Sequence, residues 1–194
     1  TGTAQTDTNT DVDTVILAST SNFPDAMISA SVSNKLGYPV LLTDQDELSE
    51  SAASSLDEMN PENVIVVGGP SVVSEEVETE ASNYGNVTRL WGTTQVGTSI
   101  EVAEYFWPEG SEEAVIVQYP LGDNSYHPLM GAVKNEADER PVLISKEGTL
   151  SASVVTAVED LGVQEAEVFS TNAVNVTQDL ESSGVSDVKM HEGD

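Results

Sequence analysis

The sequence predicts an α/β protein built from two tandem repeats, each a small, mainly parallel sheet flanked by helices. Three observations carry this. Short β-rich apolar runs alternate with amphipathic helical stretches, a pattern that demands crossover connections and a sheet covered on both faces. The pattern then starts again about halfway along the 194 residues. Third, the apolar runs are brief and bounded by Gly, Pro, Asn and Asp, as strands of buried sheets are.

The elements follow in order. "TVILAS" (14–19) is a continuous apolar run and reads as a buried strand. "DAMISASVSNKLG" (25–37) is helical, with Asp25 as N-cap, Pro24 at the helix entry and Gly37 as C-terminal stop. "YPVLLTD" (38–44) is the next strand, and "LSESAASSLDEMN" (48–60) a helix ended by Pro61. "NVIVVGG" (63–69) is a strand running into a two-glycine turn. "SEEVETEASNYG" (74–85) is a helix with Ser74 as N-cap and acidic residues in its first turn. "NVTRLWG" (86–92) closes the unit as a strand, and "TSIEVAEYFW" (98–107) is a further helix ended by Pro108.

The second half repeats the first. "EAVIVQY" (113–119) lies over "DTVILAS" (13–19) at an offset of 100, and "RPVLISKEGTLS" (140–151) over "YPVLLTDQDELS" (38–49) at 102. "AEVFSTNAV" (166–174) lies over "VIVVGGPSV" (64–72) at 102, and "SDVKMHEG" (186–193) over "GNVTRLWG" (85–92) at 101. The division is a Thr/Asp-rich linker or edge over 1–13, a first repeat over 14–92, a bridging helix and linker over 93–112, and a diverged second repeat over 113–194.

Composition excludes several function classes. There are 34 Asp plus Glu against 6 Lys plus Arg, a net charge of −28. Nucleic acid and anionic membrane surfaces need clustered cations, and six scattered ones make no patch. The acids are spread along the whole chain, which suits a halophile: at about 1 M salt the Debye length is only about 3 Å and self-repulsion is largely screened. Absence of Cys removes disulfides, thiolate metal sites and a Cys nucleophile. No apolar run approaches the roughly 20 residues of a membrane span.

Candidate functional residues lie beyond the strand ends, where open α/β sheets meet their ligands. Asn22 and Asp25, in the loop after the first strand, offer groups for sugar hydroxyls or a cation, while Asp25 equally suits helix capping. Gly68 and Gly69 either let backbone N–H groups approach an anion or serve a tight turn with positive φ. In the second repeat the acid is lost: His127-Pro128-Leu129 stands where Phe23-Pro24-Asp25 stands in the first, and Ser170-Thr171 replaces the two glycines. His127 with Asp123, Asn124 and Tyr126 reads as a solvated polar loop, and His191 as exposed. The pairs Glu75-Glu76 and Glu112-Glu113 read as solvated faces. No nucleophile elbow, EF-hand-like loop or other constellation assigns catalysis, a metal or a cofactor. Asn86-Val87-Thr88 and Asn175-Val176-Thr177 are sequons, candidate N-glycosylation sites if the protein is extracellular.

"VILASTSNFPDAMISASVSNKLGYPVLLTD", "NPENVIVVGGPSVVSEEVE" and "VTRLWGTTQVGTSIEVAEYF" resemble, in order and spacing, the type 2 cell-wall-binding repeat. The likeness covers 14–106 well and 113–194 loosely. It departs from the family where Gln95-Val96 replaces an Arg-Tyr pair. The resemblance implies Toprim-like or Rossmann-like repeats, usually three in tandem, on secreted surface proteins. It further implies non-covalent attachment to an envelope glycan or polymer, with Asn22, Phe23, Pro24, Asp25, Gly68 and Gly69 as the carried-over residues. An anionic Gram-positive polymer would repel a chain of this charge unless salt or bridging cations intervene; a haloarchaeal surface-layer glycoprotein offers a different ligand. Three readings result. The first is a non-enzymatic envelope-binding module on the surface of a halophile. The second is a structural or adhesive surface protein that assembles with itself, a third repeat or the surface layer. The third is an enzyme working at loops 18–25 and 118–128.

Overall fold

Backbone N–H and C=O groups of the apolar runs pair into two four-stranded parallel sheets in this computed structural model, which describes residues 12–119, 139–146, 148–170 and 175–192. The first holds β1 (Thr14–Ser19), β2 (Val40–Thr43), β3 (Asn63–Val67) and β4 (Asn86–Leu90) in the order β2-β1-β3-β4. The second holds β5 (Glu113–Tyr119), β6 (Val142–Lys146), β7 (Glu165–Ser170) and β8 (Asp187–Glu192) in the order β6-β5-β7-β8. The described helices are α1 (Phe23–Leu36), α2 (Glu50–Met59), α3 (Glu75–Ala81), α4 (Gln95–Phe106), α5 (Ala152–Leu161) and α6 (Val176–Ser182).

Local signals set most boundaries. Gly37 ends α1 at φ +72, its N–H bonded to Ser33 O, and Ser49 and Ser74 cap α2 and α3 by accepting from Ala52 N and Val77 N. Two helix starts differ from the sequence reading. Helix α1 begins at Phe23 rather than Asp25, with Asn22 at the cap position. Helix α4 begins at Gln95 rather than Thr98, because the Thr94 hydroxyl caps it by accepting from Gly97 N.

All six residues of β1 are buried, because helices cover both faces. Ile16, Ile65 and Val67 pack under Ile28 and Val32 of α1 and Val102, Ala103 and Phe106 of α4. Val15, Leu17, Val64 and Val66 pack on Ala52 and Leu56 of α2 and Val77 and Ala81 of α3. The chain therefore leaves β1 toward one face and β3 toward the other. These strands are adjacent, so a crevice opens at their carboxyl ends.

The register corrects the repeat alignment at one strand. Thr14 pairs with Asn63 and Glu113 with Glu165, so Glu113 is the counterpart of Thr14 and the offset is 113 − 14 = 99, not 100. Side chains alternate faces along a strand, so the slip matters. At 99, Val15 and Leu17 correspond to Ala114 and Ile116, which pack with Val154 and Val158 of α5 as their counterparts pack on α2. The sequence alignment misled because β1 and β5 are apolar on both faces and carry no alternation to fix the phase.

Helix α4 joins the two units into one continuous core. It packs on α1 and also on α5 and β6. Strand β6 is an edge, and edge N–H groups need partners. Ser99, buried on α4, supplies one by accepting from Ile144 N at 2.9 Å. Trp107 at the end of α4 donates from Nε1 to Glu139 O at 3.1 Å.

Candidate functional site

The crevice between β1 and β3 gathers residues from three loops. After β1, Ser19 accepts from Ser21 N at 3.1 Å and turns the chain toward α1. Asn22 occupies the helix cap position but makes no side-chain capping bond. Its Nδ2 instead donates to Asp25 Oδ2 at 2.7 Å, and its Oδ1 accepts from Gln95 Nε2 at 3.4 Å.

Asp25 is thus not the helix cap that its sequence context suggests. It lies within the first turn of α1 and is 1% exposed, its carboxylate turned into the crevice. One oxygen holds the Asn22 hydrogen bond; Oδ1 is buried with no hydrogen-bond partner. A buried carboxylate without full hydrogen bonding resists ionisation. Burial pushes the Asp25 carboxyl from 3.8 up to about 6, against the opposing Asn22 bond.

The sign of the resulting pH dependence is set by that upward shift. Below pH 4 or so Asp25 is protonated in both states and nothing is lost. Between about pH 4 and pH 6 the unfolded chain ionises first, so stability falls; above that the loss is complete, about 3 kcal/mol for a shift of this size. Replacing Asp25 with Asn removes this titration. The variant's stability relative to wild type is expected to improve by up to about 3 kcal/mol from pH 4 to pH 7. Urea denaturation at both pH values checks this, and an unchanged difference would refute it.

The two glycines serve side chains as well as backbone. Gly68 has φ +117, and a Cβ there would lie 2.6 Å from Asp25 Oδ2. Gly69 needs no positive φ, but a Cβ there would lie 2.8 Å from Cε3 of Trp91. The turn is further held by Arg89. Its Nη1 donates to Gly68 O at 2.7 Å and Val73 O at 2.8 Å, its Nη2 to Ser74 O at 3.1 Å, and its Nε to Glu78 Oε2 at 2.9 Å. Arg89 therefore positions the loop between β3 and α3. Of the carried-over residues, Asn22, Asp25 and Gly68 come together; Gly69 faces Trp91. Pro24 is buried in the first turn of α1, and Phe23 opens that helix.

Sequence reasoning missed Gln95 and Trp91. In the sequence Gln95 is only a departure from the Arg-Tyr pair of the type 2 cell-wall-binding repeat; its position at the start of α4, beside Asn22, is a tertiary fact. Trp91 carried a weak signal, an aromatic residue directly before Gly92 at a strand end.

The second unit fills the equivalent place differently. Gln118 and Ser170, the register counterparts of Ser19 and Gly68, are both buried, and Ser170 Oγ donates to Gln118 Oε1 at 2.6 Å. Gln118 Nε2 donates to Lys146 O at 2.9 Å. His127, Asp123, Asn124, Tyr126 and Thr171 lie outside the described residues. His191 is exposed but paired, with Nε2 2.8 Å from Glu167 Oε1 and its ring stacked on Phe169. Arg140 Nη2 also reaches Glu167, at 3.0 Å. Asn86 and Asn175 are exposed, the first donating from Nδ2 to Glu62 O at 3.2 Å, the second at the start of α6 with no capping bond. Glu75, Glu76, Glu112 and Glu113 are exposed. Among the described residues no cluster of three or more His, Asp or Glu is placed to hold a metal, and no helix is long and apolar enough to cross a membrane.

Residues 1–78 match the family Cell wall binding domain 2 (CWB2). Among curated proteins, the chain is 33% identical over 104 residues to the amidase enhancer of Bacillus subtilis, an alignment covering 54% of this chain and 14% of that protein. It is 26% identical over 151 residues to the N-acetylmuramoyl-L-alanine amidase LytC of the same organism, covering 77% of this chain and 29% of that one. The chain thus spans less than a third of either relative. Among solved structures, Cwp8 of Clostridium difficile superposes with a TM-score of 0.76 at 22% identity over 95% of this chain and 31% of that one. Cwp6 of the same organism gives 0.74 at 19% identity over 92% and 29%. These likenesses concern the fold, and both sheets fall within them. Residues 1–78 of this chain thus match the cell wall binding domain 2 family in sequence, and the chain shares the fold of the two Cwp proteins.

Proposed function

We propose that this chain is a non-enzymatic module that attaches a secreted surface protein to a glycan of the cell envelope, at the carboxyl-end crevice of its first sheet. The match of residues 1–78 to that family supports cell wall binding and cell-surface association. The observation that carries the finer reading is the crevice itself: the partly buried carboxamides of Asn22 and Gln95 converge there, held by the buried Asp25 carboxyl beneath them. The carboxamides of Asn22 and Gln95, both only partly buried, can donate to and accept from sugar hydroxyls.

The charge sets the conditions. At −28 the chain is repelled by anionic wall polymers at low ionic strength. Molar salt screens this, so we read the protein as working in a saline environment.

Co-sedimentation with purified Bacillus subtilis walls, intact and stripped of glycan, from about 0.1 M to about 2 M NaCl, tests the proposal. Wild type is expected to pellet with intact walls, more strongly as salt rises, and Asn22→Ala to bind at least threefold more weakly, an effect of about 0.7 kcal/mol or more. Absence of binding at every salt concentration would overturn it.

One observation favours a second reading, assembly with another α/β repeat. The β6 edge is covered by α4, whereas the corresponding edge strand β2 presents Leu42 at 46% exposure, with Leu36 nearby in sequence at 40%. Indifference to walls together with self-association in molar salt would favour that reading.

A further inference from the structure

Trp91 stands out among the side chains at the rim of the crevice. It is 44% exposed, although it directly follows Leu90, which is buried in the core. Its benzo ring lies across Gly69: a Cβ on that glycine would approach Cε3, Cζ3 and Cδ2 at 2.8, 3.4 and 3.5 Å. The glycine is thus the floor on which the indole rests. The backbone on the other side is equally tight. A Cβ on Gly92 would lie 2.5 Å from the carbonyl carbon of Gly97, and Gly92 N donates to Thr98 Oγ1 at 3.1 Å, which docks the chain onto the first turn of α4. The indole is therefore held in place before any ligand arrives, which lowers the ordering cost of binding.

Its neighbours are polar. Gly68, next to the glycine under the indole, abuts the Asp25 carboxylate, which is bonded to Asn22, which in turn meets Gln95, four residues after Trp91. A flat aromatic platform beside a cluster of carboxamides and a carboxyl is a surface that suits a pyranose. The C–H bonds on one face of the sugar ring point at the electron-rich indole face, and the hydroxyls on the ring edge reach the polar groups.

We propose that Trp91 is a stacking platform for a pyranose ring of the envelope glycan, and that the Gly68-Gly69 turn sets the platform beside the Asn22–Asp25–Gln95 cluster. This rests on the glycan-binding reading and names the part of the ligand that meets the indole.

The test uses the whole chain in about 2 M NaCl, a concentration at which exposed charges are screened. Trp91→Ala and Trp91→Phe are compared with wild type by co-sedimentation with Bacillus subtilis walls and by emission during titration with soluble glycan strands released from them by a muramidase. The chain has two Trp, and Trp107 is only 4% exposed, so an emission change on binding reports Trp91. The expected result is a blue shift for wild type, roughly tenfold weaker wall binding for Trp91→Ala, and most of the affinity kept by Trp91→Phe. If wild type pellets with walls and Trp91→Ala pellets equally well, or if the strands bind without changing the emission, the platform is overturned while the binding proposal stands. If wild type fails to pellet at all, both fall. Should Trp91→Ala not fold, Trp91→Phe and the emission shift decide.

Discussion

Gly68→Ala is expected to lower the unfolding free energy by roughly 2–5 kcal/mol. Two costs combine. At φ +117 an L side chain is strained whatever the space around it. The new methyl would also sit 2.6 Å from Asp25 Oδ2, and that carboxyl is buried and cannot swing into solvent. The two costs can be separated. Asp25→Ala removes the oxygen but leaves the backbone strain, so the double variant should be less destabilised than the sum of the singles by about 1 kcal/mol or more. Urea denaturation of the four proteins measures this, and strict additivity would show that the glycine is required for its φ alone. The loop clip adds a second readout. Gly68 O accepts from Arg89, so the Ala variant should also loosen the turn before α3, detectable as faster amide exchange at Val73 and Ser74.

The second large effect is that of salt. Raising NaCl from about 0.1 M to about 2 M is expected to raise the melting temperature by roughly 10 °C. For a domain of this size that corresponds to about 3–5 kcal/mol. The cause is the self-repulsion of a chain with net charge −28. Few partners exist to neutralise it: Arg89 is committed to Glu78 and the β3–α3 loop, Arg140 to Glu113 and Glu167, and Lys35 lies over the Trp107 ring. Sucrose at matched water activity separates screening from general exclusion effects, since it strengthens burial without screening charge. A melting temperature that ignores NaCl, or rises equally with sucrose, would refute the electrostatic account.

Much of the architecture was legible in the sequence because it depends on neighbours along the chain. The cap at Ser74 and the stop at Gly37 are bonds between residues three or four positions apart. The repeat was legible because crossover units of similar length recur with similar punctuation. The charge needs no structure at all. The candidate loop was legible too, since carboxyl ends of parallel strands are where ligands meet such sheets.

What the tertiary structure decided is how those residues meet. Asp25 has the local context of a capping acid, yet its carboxylate turns inward to Asn22 and the Gly68 turn. That choice depends on β3 lying beside β1, a contact between segments distant in the chain. Pairing of β3 with β4 put Trp91 over Gly69, and packing of α4 on α1 put Gln95 against Asn22, neither of which follows from spacing. Pairing of β5 with β7 fixed the one-residue phase of β5, which a strand apolar on both faces cannot announce. Local hydrogen bonding and periodicity were therefore determined by the sequence alone. The crevice, with its buried carboxyl and exposed indole, exists only because parallel pairing brings three loops to one end of the first sheet.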